Sequence, residues 1–182
     1  MMEELFEEAG QSFDKGLAAF KKELSRLRTG RANLAILDGV KVEYYGSPTP
    51  LAQIASVNIS DPKLITIKPW DKALIGAIEK SILAADVGIT PSSDGNIVRL
   101  PIPPLTVERR KDLVKQVKKM AENARVAIRN TRRDYKSLLD SDETVPEDEQ
   151  AKALKRLQDL TDGFIAKVDT VATEKEKEIM EQ

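Results

Sequence analysis

From Thr106 to Lys136 the chain reads TVERRKDLVKQVKKMAENARVAIRNTRRDYK, thirty-one residues without proline or glycine. At about 100° per residue, seven apolar side chains in or just after this segment fall on one face of a helix, which is the spacing of a buried stripe. The predicted stripe consists of Leu113, Val117, Met120, Ala124, Ile128, Tyr135 and Leu138. The segment therefore predicts a long helix with one face in a core, and other parts of the chain must supply the partners of that face.

The opposite side of this predicted helix is strongly basic. The segment carries eleven Lys and Arg against four Asp and Glu, which gives a local net charge of +7. Eight of these eleven cations fall within an arc of about 100° on the side opposite the apolar stripe, and Glu122 is the only acid inside that arc. We call the cations of the arc the basic face: Lys111, Lys115, Lys118, Arg125, Arg129, Arg132, Arg133 and Lys136.

A charged helix face is often only solvated surface, but such a face usually mixes Lys with Glu four residues apart. The basic face has one sign, and Arg dominates its C-terminal half. The guanidinium group is a planar, bidentate donor that suits phosphate, whereas Lys offers a point charge. A straight helix of this length spans about 46 Å. The pattern therefore favours contact with the backbone of a nucleic acid over a merely solvated surface.

The chain as a whole is nearly neutral, so its average charge hides this segment. The net charges are −1 for residues 1–30, 0 for 31–105, +7 for 106–136 and −7 for 137–182. The absence of cysteine and histidine excludes Ser-His-Asp and Cys-His nucleophiles and zinc sites with the usual ligands. We therefore expect neither enzyme activity nor a cofactor nor a metal.

Two further segments have helical spacing. Residues 1–28 place apolar side chains three, four or seven residues apart, with Gly30 positioned as a C-terminal cap. After an acidic stretch, Thr144 and Glu147 form a capping-box pattern that predicts a third helix to about residue 181. The predicted apolar side of that helix is Leu154, Leu157, Phe164, Val168, Val171 and Ile179. Three long amphipathic helices, none able to bury its stripe alone, predict a three-helix bundle.

Residues 31–105 follow a different pattern, with eight of the nine prolines and several β-branched runs. Strands are predicted near residues 40–45, 54–59, 64–68 and 97–102, a turn is predicted at residues 46–50, and a helix follows the Asp71 N-cap. Trp70, Tyr44 and Tyr45 are expected to pack this small unit rather than to stack on bases. The predicted fold class is α+β with two domains: residues 1–30 and 106–182 form the bundle, and 31–105 form an inserted β/α/β domain.

Two short connections join these predicted domains and form a candidate hinge. Its residues are Gly30, Arg31, Pro103, Pro104 and Leu105. Residues 1–8 are acidic and lack the apolar region of a signal peptide, and no run is long enough to span a bilayer. We expect a cytoplasmic monomer without a membrane partner.

Four further segments, in order, are distinctive: LRTGRA at 27–32, YGSPTPL at 45–51, PIPPLT at 101–106 and RVAIRNTRRD at 125–134. With these segments the chain resembles the ribosome recycling factor family of bacteria and organelles over essentially its full length. The resemblance implies an L-shaped molecule of roughly transfer-RNA dimensions. It also implies binding to the large ribosomal subunit and its 23S-type RNA. Elongation factor G with GTP would then move the smaller domain, splitting the post-termination complex and releasing messenger and transfer RNA.

The resemblance also implies roles for particular residues. Arg129, Arg132 and Arg133, together with Arg28 and Arg31, become the first candidates for ribosomal RNA contact, and the cations of the basic helix add Arg110, Lys118 and Arg125. Two alternatives use the same face. One is a general nucleic-acid-binding helical module, and the other is a helical interaction module that binds an acidic protein.

Overall fold

The computed structural model describes residues 2–181, which form two compact units. The helical unit consists of residues 2–27 with Glu108–Glu181, and the mixed unit is Arg28–Val107. This combination of long helices with a small sheet confirms the predicted fold class. Within the described residues, no helix has both the length and the apolar character that a membrane crossing requires.

The helical unit contains three long helices: α1 (Met2–Ser25), α4 (Val107–Asp140) and α5 (Glu147–Met180). Each helix contacts the other two. The rings of Phe13 in α1 and Phe164 in α5 are stacked with centroids 5.2 Å apart, and Ser12 Oγ lies 3.2 Å from Tyr135 Oη of α4. The predicted three-helix bundle is therefore the arrangement found within this unit.

Buried residues in all three helices recur eleven positions apart. An eleven-residue step is three helical turns plus about 20°, so the buried stripe winds slowly around each helix. The residues related in this way are Phe6 and Leu17, Ala9 and Phe20, and Phe13 and Leu24 in α1; Val117, Ile128 and Leu139 in α4; and Leu157, Val168 and Ile179 in α5.

This step corrects the predicted stripe of α4. Leu138 was expected in the core but is 55% exposed, whereas Leu139 is only 5% exposed. Counted from Ile128, a step of ten falls about 80° short of three full turns, while a step of eleven passes it by only about 20°. Ala121 is likewise buried, and Met120, Ala124 and Tyr135 are half-buried. The core side of α4 therefore lies closer to the basic face than the sequence predicted.

Two predicted helix caps are also wrong. Helix α1 ends at Ser25, five residues before Gly30, so Gly30 does not cap it; instead Gly30 is buried with a φ of 81°. Helix α5 begins at Glu147 after Pro146, and no side chain caps it. Thr144 instead donates to Asp142 Oδ1 from its amide and its hydroxyl. The capping box fails because Thr144 lies two residues before the N-cap, in a turn that Asp142 organises.

The mixed unit contains two sheets and one longer helix. Strands β1 (Lys41–Tyr44) and β2 (Ser47–Pro50) pair as an antiparallel hairpin. The other strands are β3 (Ala55–Asp61), β4 (Leu64–Pro69), β5 (Ser92–Ser93) and β6 (Val98–Pro101). They form a four-stranded antiparallel sheet in the order β3-β4-β6-β5. Along the chain, the short helix α2 (Leu51–Ile54) precedes β3, and α3 (Ile75–Ala84) follows β4.

Most predicted elements of this unit are present, but the turn expected at residues 46–50 is mostly strand β2. Pro48 and Pro50 are tolerated because β2 has only one neighbour, β1, so a missing N–H on its other side breaks no ladder bond. Asp71 accepts from the amide of Ala73 at 2.9 Å and so caps a short 3₁₀ turn, Lys72–Leu74, that precedes α3. The core of the unit lies between α3 and the strands and includes Val42, Ile65, Ile67, Ile78, Ile82, Val98 and Leu100.

Candidate nucleic-acid interface

The basic face lies along α4 of the helical unit, with most of its cations exposed. Lys111, Lys115, Lys118 and Arg133 are exposed, as is Arg129, whose side chain is 52% accessible. Arg125 is more enclosed, with 23% of its side chain accessible. Arg132 and Lys136 are half-buried. The exposed cations can reach an external polyanion, whereas Arg125 is partly committed to the protein.

The partly buried cations border helix α5. Arg125 Nη1 donates to Asp169 Oδ1 of α5 at 2.6 Å. Arg110 Nη1 donates to the carbonyl oxygen of Met180, near the end of α5, at 3.2 Å. The Arg125 contact agrees with the shifted core side of α4, which brings one edge of the basic face next to α5, and Arg110 lies outside that face. Arg110 and Arg125 therefore join helices in the free protein, in addition to any role toward a ligand.

Glu122, the only acid within the basic face, accepts from two of its arginines. Arg125 Nε lies 3.0 Å from Glu122 Oε2, and Arg129 Nη1 lies 3.2 Å from Oε1. These hydrogen bonds, first from Arg125 and then from Arg129, lower the pKa of Glu122. Burial alone would lower the pKa of Arg125, but its bonds to Glu122 and Asp169 outweigh that effect and raise it. Both shifts favour the charged forms of Glu122 and Arg125.

Arg132 differs from its neighbours. Its Nε is buried and has no hydrogen-bond partner among the described residues. An unpaired buried N–H costs roughly 1–3 kcal/mol relative to a paired one, so this guanidinium gains more than an exposed one from an added acceptor. Lys136, at the end of the face, pairs with Asp140 at 2.6 Å.

Arg28 and Arg31, also predicted as RNA contacts, belong to the mixed unit. Arg31 is exposed. Arg28 Nη2 donates to the carbonyl oxygen of Asp86 at 3.2 Å, and its guanidinium lies against Gly88, whose φ is 74°. Arg28 therefore fastens the segment after α1 to the loop after α3, and this structural contact was not predicted.

Replacing Gly88 with alanine is expected to destabilise the mixed unit by about 1–2 kcal/mol, because a left-handed φ is unfavourable for a residue with a Cβ. The new methyl group would also displace the Arg28 guanidinium, although a flexible side chain moves at little cost. Urea unfolding followed by Trp70 fluorescence measures the change, since Trp70 is the only tryptophan and lies in this unit.

Gly76→Ala is the matched control for that substitution. Gly76 lies in α3, has no positive φ, and would have no atom within 4 Å of an added Cβ. Alanine there is expected to be neutral or to stabilise the unit by up to about 1 kcal/mol. Equal effects of Gly76→Ala and Gly88→Ala would contradict the assigned strain.

The candidate hinge residues flank two fixed points of the mixed unit. The amide of Ala32 donates to the carbonyl of Pro62 at 2.7 Å, and the amide of Ile102 donates to the carbonyl of Lys63 at 2.8 Å. Both chain connections are thus held at the same β3–β4 turn. Arg31, Pro103 and Pro104 lie just outside these hydrogen bonds and are exposed, and Leu105 is half-buried.

The expectation that the aromatic side chains pack the mixed unit is wrong for two of the three. Tyr45 is 89% exposed and Trp70 is 70% exposed. Tyr44 does pack against the core, and its ring meets that of Tyr45 edge-on, with centroids 4.4 Å apart. Tyr45 has a φ of 48° in the tight β1–β2 turn, and in this turn its side chain stays outside the core.

The main residue that sequence reasoning missed is Asp169. It contacts the basic face from a different helix, forty-four positions from Arg125, and only the relative register of α4 and α5 reveals the pair. An acidic residue at a helical spacing on α5 is too common a feature to indicate this contact.

Comparison with known proteins supports a single family. The family model described as ribosome recycling factor matches residues 20–180. The chain is 50% identical to the ribosome-recycling factor of Desulfatibacillum aliphaticivorans and 48% identical to that of Bacillus subtilis strain 168, covering 100% of each chain in both comparisons.

Two solved structures are also similar. One is a solution structure of a ribosome recycling factor, with a TM-score of 0.78 and 40% identity, covering 100% of this chain and 98% of the other. The second has a TM-score of 0.67 and 45% identity, and covers 99% of both chains. That structure presents the T. thermophilus ribosome recycling factor and E. coli elongation factor G bound to the E. coli post-termination complex.

Proposed function

This chain belongs to the ribosome recycling factor family, and from that premise we propose that its helical unit binds the large ribosomal subunit through the basic face. Elongation factor G with GTP then acts on the bound factor, and the post-termination complex separates into subunits. A similar protein has been described together with elongation factor G on such a complex. The chain itself contributes binding and movement rather than catalysis, and it works in the cytoplasm as a monomer.

The observation that carries this proposal is the basic face of α4, whose arc holds eight cations and one acid, Glu122. Among the residues that the structure describes, only Glu122 and Asp169 pair with arginines of the basic face, while Arg133 and several lysines extend along the exposed side of the helix. Phosphate oxygens of ribosomal RNA suit such a row, because arginine can donate two parallel hydrogen bonds to one phosphate.

We assign different weights to the candidate contacts. Arg129, Arg132 and Arg133 are the principal RNA-binding residues, with Arg31 and Lys118 as further contacts. Arg28, Arg110 and Arg125 combine a possible RNA contact with the protein contacts described above. Functionally, residues 1–30 and 106–182 act as the RNA-binding domain, and residues 31–105 act as the domain that moves.

The test is a subunit-splitting assay by light scattering with purified post-termination complexes, elongation factor G and GTP. The expected result is a loss of scattering that requires all three components together with this chain. A protein that binds RNA but never splits ribosomes would indicate a general nucleic-acid-binding module instead. A protein that binds neither RNA nor ribosomes would indicate a protein interaction module.

Binding to the large subunit is expected to weaken steeply as salt rises, because each phosphate contact releases counterions. With about five such contacts, the plot of log affinity against log salt should have a slope near −4. Sedimentation binding at a series of potassium chloride concentrations measures the slope, with an uncharged osmolyte as the control for non-ionic effects. A slope near zero would exclude an interface based on the basic face.

A further inference from the structure

Two carboxylates occupy arginine donors of the basic face in the free protein. Glu122 accepts from Arg125 Nε at 3.0 Å and from Arg129 Nη1 at 3.2 Å, and Asp169 accepts from Arg125 Nη1 at 2.6 Å. A phosphate approaching Arg125 or Arg129 therefore meets donors that are already used and two negative charges beside them.

These ion pairs are a minor part of what holds the helical unit together. The side chain of Arg125 is 23% accessible, but those of Glu122 and Asp169 are 52% and 54% accessible, and ion pairs with solvent-exposed carboxylates contribute little to folding stability. The apolar stripes of α1, α4 and α5 already provide a buried core. The position of the two carboxylates beside the arginines therefore points to a role in what this surface binds rather than in folding.

We propose that Glu122 and Asp169 are specificity-determining residues that weaken binding of the basic face to nucleic acid in general. The inference rests on the proposed function, in which this face binds ribosomal RNA. Non-specific binding depends on the number of available cations and on little else. By neutralising Arg125 and Arg129, the carboxylates remove two cations from that number.

The affinity for an RNA site whose phosphates match the basic face is lowered less than the affinity for other RNA. If its phosphates lie where Arg129, Arg132 and Arg133 can each form direct hydrogen bonds, those bonds offset the displacement of Glu122 and Asp169. An irregular or flexible RNA cannot align several phosphates at once. It is therefore repelled by Glu122 and Asp169 without forming the hydrogen bonds that offset this repulsion. The carboxylates thereby increase the difference in affinity between the intended site and other RNA.

The experiment compares Glu122→Gln, Asp169→Asn and the double variant with the unchanged protein. The probes are a poly-uridine RNA and the purified large ribosomal subunit, both at low salt. Each single substitution is expected to tighten poly-uridine binding about three- to fivefold, in line with the modest strength of exposed ion pairs. The gain for the large subunit should be smaller, and both gains should shrink as salt rises.

Glu7→Gln is the matched control. Glu7 is exposed on α1, and its replacement changes the net charge by the same amount without touching the basic face. Poly-uridine binding that stays unchanged or weakens in Glu122→Gln, or that rises equally in Glu7→Gln, would overturn the inference. The proposed function fails separately, and takes this inference with it, if the unchanged protein does not bind the large subunit.

Discussion

Replacing Arg132 with alanine is expected to reduce subunit splitting to the background rate while leaving the fold intact. Arginines at the centre of an interface commonly contribute about 2 kcal/mol or more, which corresponds to a loss of roughly 30-fold in affinity. The side chain of Arg132 makes no observed hydrogen bond to the described residues, so its guanidinium gives up no protein partner when it binds a phosphate, and the variant loses an interaction made mainly in the complex. Affinity for the large subunit and the splitting rate are the two measurements.

The fold should tolerate this change because Arg132 makes no observed hydrogen bond within the described residues that alanine would remove. Alanine removes the packing of the half-buried side chain but also relieves the cost of its unpaired Nε, and because these effects oppose each other the net shift in unfolding free energy is expected to stay within about 0.5 kcal/mol, the size of a surface change. Lys119→Ala is the control, since Lys119 is an exposed cation of the same helix outside the basic face. A collapse of thermal stability in Arg132→Ala would show that the residue is structural, and an equal loss of binding in Lys119→Ala would show that only total charge matters.

The helical unit was largely predictable from the sequence because a long amphipathic helix repeats its signal many times. The core positions Leu113, Val117 and Ile128 were found in this way, and all three are buried. The error at Leu138 arose where a small angular drift had accumulated over several turns. A period read from one helix cannot fix that drift, since the winding of the stripe depends on how the partner helices pack.

The mixed unit shows a different limit. Its strands are short, and two prolines within the four residues of β2 are typical of a turn, although β2 pairs with the neighbouring strand β1. The exposure of Tyr45 and Trp70 was also missed, because large aromatic residues in a small domain are usually needed for its core. Composition predicts which residues can be buried, but the turn conformation at Tyr45 decides where that side chain points.

The cations of the candidate interface could be predicted because they lie on one helix. The side chains and carbonyl groups of other segments that contact these cations could not. The row of cations follows from spacing along α4. The contacts of Arg125 with Asp169 and of Arg28 with Asp86 depend on tertiary register. Spacing along the sequence therefore predicts the row of cations but not the groups of other segments that pair with it.

Locking the mixed unit to the helical unit is expected to abolish subunit splitting while preserving large-subunit binding. Ala32 and Ile102 are hydrogen-bonded to neighbouring residues of one turn, Pro62 and Lys63, so the mixed unit holds both of its connections at one place. Beyond these points lie Gly30, which has a positive φ, and Pro103 and Pro104, which restrict theirs. We propose that rotation occurs at these few residues and leaves both units folded.

The chain lacks cysteine, so introduced cysteines can be cross-linked without competing thiols. The test places one cysteine in each unit and closes the pair with reducible cross-linkers of several lengths. A pair at Glu3 and Arg156 is the control, because these residues join α1 to α5 within the helical unit, with Arg156 Nη1 2.6 Å from Glu3 Oε1.

Force from a partner reaches the ribosome only if the second unit can move against the bound one. Cross-linking between units should therefore stop splitting until a reductant is added, whereas the control cross-link should have no effect. Normal splitting by the protein cross-linked between units would show that rotation at these connections is not part of the mechanism.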